Sequence, residues 1–143
     1  MGVFKIGEVF LVDDDPIVKM VAIKILKNIG FERTITQFEN GHTALLEIKK
    51  RVADQTLIHQ AEPVLLLLDI NMPVMDAWGF LNEFSQLSQD VRGHFLISII
   101  TSSIDSQDRK MAFSYSDVKD YITKPISGKH VTDFLTKHGL YEE

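Results

Sequence analysis

The sequence predicts an α/β protein: a doubly wound, five-stranded parallel sheet in the order 2-1-3-4-5 with five helices. Three observations carry this reading. Short β-prone apolar runs alternate five times with segments of helical periodicity. Two of the runs, Val64–Ile70 and Phe95–Ile100, are apolar on both faces, as central strands of a covered parallel sheet are. Polar residues recur where the runs end, the edge at which such sheets place their ligands.

The first run, Val9-Phe10-Leu11-Val12, stops at Asp13-Asp14-Asp15. Asp15-Pro16 reads as a helix N-cap followed by proline in the first turn. Ile17, Val18, Val21, Ala22, Ile25, Leu26 and Ile29 then recur at helical spacing, and Gly30 is a natural stop. Ile35 to Phe38 forms the second strand, and Asn40-Gly41 marks a turn. Ala44, Leu45, Ile48 and Val52 give the second helical stripe. The segment 54–63 fits either a helix tail or an ordered loop. Val64 to Ile70 is the third strand. Phe80, Leu81, Phe84 and Leu87 mark a third helix, Phe95 to Ile100 the fourth strand, Arg109 to Tyr115 a fourth helix. Tyr121-Ile122 lies in a short fifth strand. Val131, Phe134 and Leu135 mark the last helix, with Lys137 and His138 in its final turn and Gly139 after it.

The 143 residues suit one domain, expected to span 1–143 with its core at about 9–140. No Gly/Ser-rich linker is present, so the chain is expected to carry no output domain of its own. A net charge of −5 without a basic patch speaks against nucleic acid. No apolar run approaches the ~20 residues that span a bilayer, and the N-terminus lacks the pattern of a signal peptide. Cysteine is absent, which excludes disulfides, thiol catalysis and thiolate metal sites. These features fit a cytoplasmic protein.

The run Val64-Leu65-Leu66-Leu67-Leu68-Asp69 carries apolar residues straight into an ionisable acid. A carboxylate drawn toward a core is costly unless it is paired. In the order 2-1-3-4-5 the first and third strands are neighbours, and Asp13, Asp14 and Asp69 converge. Two carboxylates ~4 Å apart repel by about 4 kcal/mol at an effective dielectric of 20. Such a cluster needs a counter-charge. Hard oxygen ligands suit Mg²⁺, with Mn²⁺ as a substitute, and Lys124 would add a second positive charge. A carboxylate in these surroundings is a usable nucleophile toward phosphorus. Mg²⁺, Lys124 and the Thr101 hydroxyl are suitable partners for phosphoryl oxygens.

The stretches "LVDDDP", "LLLLDINMPVMD", "IITSS" and "YITKP", in this order and spacing, resemble the receiver domain of two-component response regulators from about Val9 to Leu140. The resemblance implies a CheY-like, flavodoxin-like fold. It implies Asp69 as phosphoacceptor, Asp14 as direct Mg²⁺ ligand, Asp13 as an acid acting through water, and Asn71 as the residue whose backbone carbonyl binds the metal. It also implies Thr101 as switch hydroxyl, Lys124 as the site lysine followed by a cis bond to Pro125, and Tyr121 as an aromatic that swings inward on activation. The implied partners are a sensor histidine kinase or histidine phosphotransfer protein, and a downstream protein that the sequence does not name. Ala77 departs from the family's usual glycine, so a locally shifted turn is expected there. The stretch 50–63 is longer than usual and, with Trp78, resembles a subgroup of stand-alone receivers.

Other readings of these residues exist. Asp15 is read as a helix cap alone. Trp78 is read as packing at the start of the third helix in preference to a partner-binding anchor, Met111, Phe113 and Tyr115 mainly as core or rim that marks an interaction face where exposed, and the scattered histidines as surface or helix-end residues without zinc spacing. An aspartate-nucleophile phosphatase would want a second acid two residues after Asp69, where Asn71 stands. A phosphorylation-independent binding module would have no need of the complete set Asp13, Asp14, Asp69, Thr101 and Lys124.

Overall fold

The computed structural model describes residues 2–143. Its strands are β1 (Val3–Phe4), β2 (Glu8–Val12), β3 (Thr34–Phe38), β4 (Val64–Asp69), β5 (Phe95–Thr101), β6 (Val118–Thr123) and β7 (Tyr141–Glu142). Its helices are α1 (Pro16–Asn28), α2 (Gly41–Ala53), α3 (Ala77–Phe84), α4 (Gln89–Arg92), α5 (Ser106–Phe113) and α6 (Gly128–Lys137). Five strands form one parallel sheet in the order β3-β2-β4-β5-β6, which is the predicted 2-1-3-4-5 arrangement.

The leucine run explains the layers. Successive strand residues face opposite sides, so Leu66 and Leu68 join Phe10, Phe80, Phe84 and Ile97 on one face. Leu65 and Leu67 join Val9, Leu11, Leu26, Ile122 and Phe134 on the other. A strand apolar throughout is what a sheet covered on both sides requires.

Helix starts follow their caps. The Asp15 carboxylate accepts from the Ile17 and Val18 N–H groups, and Pro16 opens α1. Asn40 caps α2 by accepting from the Thr43 N–H at 2.9 Å. Gly30 and Gly139 take φ values of +97° and +73° just past α1 and α6, where a side chain would be strained.

The structure differs from the sequence reading in several places. A sixth helix, the single-turn α4, is capped by Ser88; Leu87 lies between it and α3 and packs on the core from outside either helix. The helix expected over Arg109–Tyr115 starts at Ser106, because Asp105 caps it, and ends at Phe113. Segment 54–63 is an ordered loop that begins with turns at 54–59, with Leu57 buried beneath it. Strands β1 and β7 pair antiparallel, bringing Phe4 to 4.8 Å from Tyr141 and 5.4 Å from Phe31 between ring centres. The left-handed residue near Ala77 is Val74, at φ +67°, while Ala77 is the buried first residue of α3. Only part of the apolar stripe of α1 faces inward: Ala22 and Leu26 are buried, whereas Ile17 and Val21 are exposed together with Met20.

An ion-paired network ties α2 to the sheet. Arg51 donates to Glu8 at 2.6 and 3.1 Å and to Glu47 at 2.7 Å, with its guanidinium 4.9 Å from the centre of the Phe10 ring. Thr36 also donates to Glu8. Removing one partner of a mostly buried pair leaves the other charge uncompensated. Arg51→Ala is therefore expected to destabilise the fold by about 3 kcal/mol in urea unfolding, and adding Glu8→Gln to recover a substantial part of that loss.

Candidate functional site

Strand register builds the site. Val12 pairs with Leu68 across β2 and β4, so the next residues, Asp13 and Asp69, emerge side by side. Asp69 aligns with Ile100, next to Thr101, and Thr101 aligns with Thr123, next to Lys124. The carboxyl ends of four neighbouring strands thus deliver Asp13, Asp69, Thr101 and Lys124 to one rim.

The Lys124 ammonium donates to Asp13 Oδ2 at 2.9 Å and to Asp69 Oδ1 at 3.3 Å. Asp13 is fully buried and Asp69 nearly so. The other Asp13 oxygen accepts from the Asp15 N–H at 2.9 Å. This bond couples the cap of α1 to the acid on the strand. Asp14 is exposed, and one carboxylate oxygen from each of Asp13, Asp14 and Asp69 lies within 4.8 Å of the others. The Lys124 N–H donates to the Thr101 carbonyl at 2.7 Å, fixing the end of β6 against β5. The Lys124–Pro125 bond is cis.

A family model of the response regulator receiver domain matches residues 9–136. The chain belongs to that family. The two-component response regulator ORR41 of Oryza sativa subsp. japonica is 28% identical over 138 residues, which cover 95% of this chain and 97% of that protein. The sensor histidine kinase CheAY of Helicobacter pylori is 31% identical over 129 residues, 90% of this chain but 14% of the kinase. Likewise the chain spans 13% of the sensor histidine kinase GacS of Pseudomonas protegens. A two component response regulator from Cytophaga hutchinsonii superposes with a TM-score of 0.80 at 25% identity, covering 93% of this chain and 96% of that one. Receiver domains are signalling modules that take phosphate from histidine kinases, and they generally bind Mg²⁺. Among the described residues no helix is long and apolar enough to cross a membrane.

The electrostatics of this receiver follow from its geometry. Burial pushes the Asp69 carboxyl up to about 6, the Asp13 charge adds to the rise, and Lys124 pulls against both. Burial opposes the charge on Lys124, but its hydrogen bond to Asp13 and the charges of both acids outweigh that and raise its pKa. The acids outnumber the ammonium, and the oxygen-only donor set of Asp13, Asp14 and Asp69 fits a hard divalent cation.

Thr101 is buried at the rim, and its hydroxyl accepts from the Ser103 N–H at 3.1 Å. Tyr121 is placed apart from the acids. It is buried against the core, with its hydroxyl 3.4 Å from the Ser103 carbonyl. Asn71 is exposed in the loop after β4. Trp78 stacks on Tyr115 with ring centres 6.4 Å apart, which is the packing role expected of it. Sequence reasoning missed the exposed apolar face of α1 and the contacts of Asp108 and Arg109 beside Tyr121. Helical periodicity could not assign the first, because several faces of α1 are apolar.

The raised Asp69 carboxyl has a consequence for stability without metal. The folded chain holds this proton more tightly than the unfolded one, so the contribution is present at low pH and is lost as pH rises through about 6. In EDTA, Asp69→Asn is expected to be more stable than the wild type by about 1–2 kcal/mol at pH 7.5, with no gain at pH 4, in urea unfolding. Equal stability at pH 7.5 would contradict the assignment of Asp69 as a buried, underpaired acid.

Proposed function

We propose that this receiver is a phosphorylation-activated switch of a phosphorelay. It takes a phosphoryl group on Asp69 from a sensor histidine kinase or a histidine phosphotransfer protein. One observation carries the proposal: two buried carboxylates share one ammonium, and an exposed third completes a cluster that still holds excess negative charge.

In the transfer, an Asp69 oxygen forms a bond to phosphorus while the phosphorus–nitrogen bond of phosphohistidine breaks. The electron pair of that bond stays on the imidazole. Lys124 lies 3.3 Å from Asp69 Oδ1 and is placed to neutralise charge on the incoming oxygens. Thr101 stands at the end of the adjacent strand with a hydroxyl free to donate, because its present bond to Ser103 uses it as an acceptor. Asp13 keeps Lys124 protonated and oriented. Asp14, Asp13, Asp69 and the Asn71 backbone carbonyl would hold Mg²⁺ (or Mn²⁺). The cation would supply Lewis-acid neutralisation of phosphoryl charge.

The donor needs a docking face beside this rim. Ile17, Val18, Val21 and Ala22 on α1 border a cavity of about 340 Å³ with Lys124, Pro125 and Ile126. Ile17 and Met20 are about two-thirds exposed. An apolar patch sharing Lys124 with the acidic site suits a helical donor that presents phosphohistidine to Asp69. Met111 and Phe113 on α5 are each exposed and offer apolar contacts to a downstream protein.

Incubation with acetyl phosphate and Mg²⁺ is expected to add one base-labile phosphoryl group by mass, with none on Asp69→Asn and none in EDTA. A Mg²⁺-dependent adduct that persists in Asp69→Asn would refute the proposal. Met20→Glu is expected to slow transfer from the cognate phosphohistidine donor about tenfold and to leave acetyl phosphate labelling unchanged.

A further inference from the structure

Ser103 engages every hydrogen-bonding group it has. Its N–H donates to the Thr101 hydroxyl at 3.1 Å, and its carbonyl accepts from the Tyr121 hydroxyl at 3.4 Å. Its own hydroxyl donates to Asp108 Oδ2 at 2.7 Å and accepts from the Asp105 N–H at 3.2 Å. Asp105 in turn caps α5, accepting from the Gln107 N–H at 2.8 Å. One residue therefore joins the rim hydroxyl to Tyr121 on β6 and to the first turn of α5.

These bonds are unequal. The bond to Asp108 is short and goes to a carboxylate, the stronger kind. The bond to Tyr121 is long, hence weak. If Thr101 moves toward a group on Asp69, the Ser103 N–H is drawn along. The Tyr121 bond yields first, and the Asp108 bond is what resists. Arg109 adds a second hold. Its guanidinium lies 5.2 Å from the Phe113 ring centre and 5.4 Å from that of Tyr121, keeping the tyrosine against α5.

We infer that Asp108 is a positioning residue: by holding the Ser103 hydroxyl it restrains residues 101–105 at rest, and so sets how readily Thr101 reaches a phosphoryl group on Asp69. This rests on the reading of Asp69 as phosphoacceptor. Releasing the restraint shifts the loop toward the conformation that phosphorylation needs.

The test follows labelling by acetyl phosphate and Mg²⁺ in the whole chain. Wild type is compared with Asp108→Ala, Ser103→Ala, their double variant and Asp108→Asn. Each alanine variant is expected to be phosphorylated about three- to tenfold faster, the equivalent of one hydrogen bond. The double variant should be no faster than Ser103→Ala, since both single changes remove the Ser103–Asp108 bond and only Ser103→Ala also removes the one from the Asp105 N–H. Asp108→Asn, which keeps an acceptor for the Ser103 hydroxyl, should return most of the way to wild type. Amide exchange at Ser103 and Asp105 should rise in the same variants while Mg²⁺ affinity stays constant, which a general loosening of the fold would not produce. Additive effects, or unchanged rates in variants of a wild type that is itself phosphorylated, overturn the role of Asp108 alone. A wild type that takes no phosphoryl group overturns the reading of Asp69 and this role with it.

Discussion

The Lys124 ammonium between Asp13 and Asp69 is the contact on which the arrangement depends. Without it, two nearly buried carboxylates at the ends of adjacent strands would repel with nothing to offset the cost of burial. With it, the acids remain close but undercompensated, and burial, helped by the Asp13 charge, leaves Asp69 with a raised pKa. That excess of negative charge over the single ammonium suits a hard cation. The same contact holds the end of β6 to the ends of β2 and β4, so the charges also help to lock the sheet's carboxyl rim.

The site is therefore a by-product of how the sheet is covered. Leucines facing alternately into the two apolar layers force β4 through the centre of the molecule. The first place where that strand meets solvent is its last residue, Asp69. Parallel register then aligns Asp13, Thr101 and Lys124 beside it with no long loop to span. Asp13, Asp69, Thr101 and Lys124 each sit on a strand end or one residue past it, where the core fixes the backbone. Tyr121 and Ser103 extend the hydrogen-bonded rim along β6 and toward α5, the helix that carries exposed Met111 and Phe113.

Much of this was legible in the residues. The apolar runs mark central strands because only strands covered on both faces tolerate them. The Asp15-Pro16 pair marks the start of α1 because cap and proline chemistry act locally. Asp13, Asp14, Asp69 and Lys124 could be grouped because strand order alone brings them together. Other features depend on tertiary contacts that leave little local trace. Strands β1 and β7 have two residues each, and their pairing is set by Phe4, Phe31 and Tyr141 meeting across most of the chain length. The outward face of α1 escaped because Ile17 and Val21 match the periodicity of a core stripe yet remain exposed. Helix α4 is a single turn, too short to show a period. The bonds of Ser103 to Asp108 and Tyr121 join residues that no motif groups.

The most direct test of the central contact is a ¹³C NMR titration of the Asp69 side-chain carboxyl in metal-free buffer, in the wild type and in Lys124→Met. The account predicts a midpoint near 6 in the wild type, as burial and Asp13 require, and a clearly higher midpoint once the ammonium is gone. An Asp69 carboxyl that titrates in the ordinary carboxylate range, or that ignores the loss of Lys124, would contradict it.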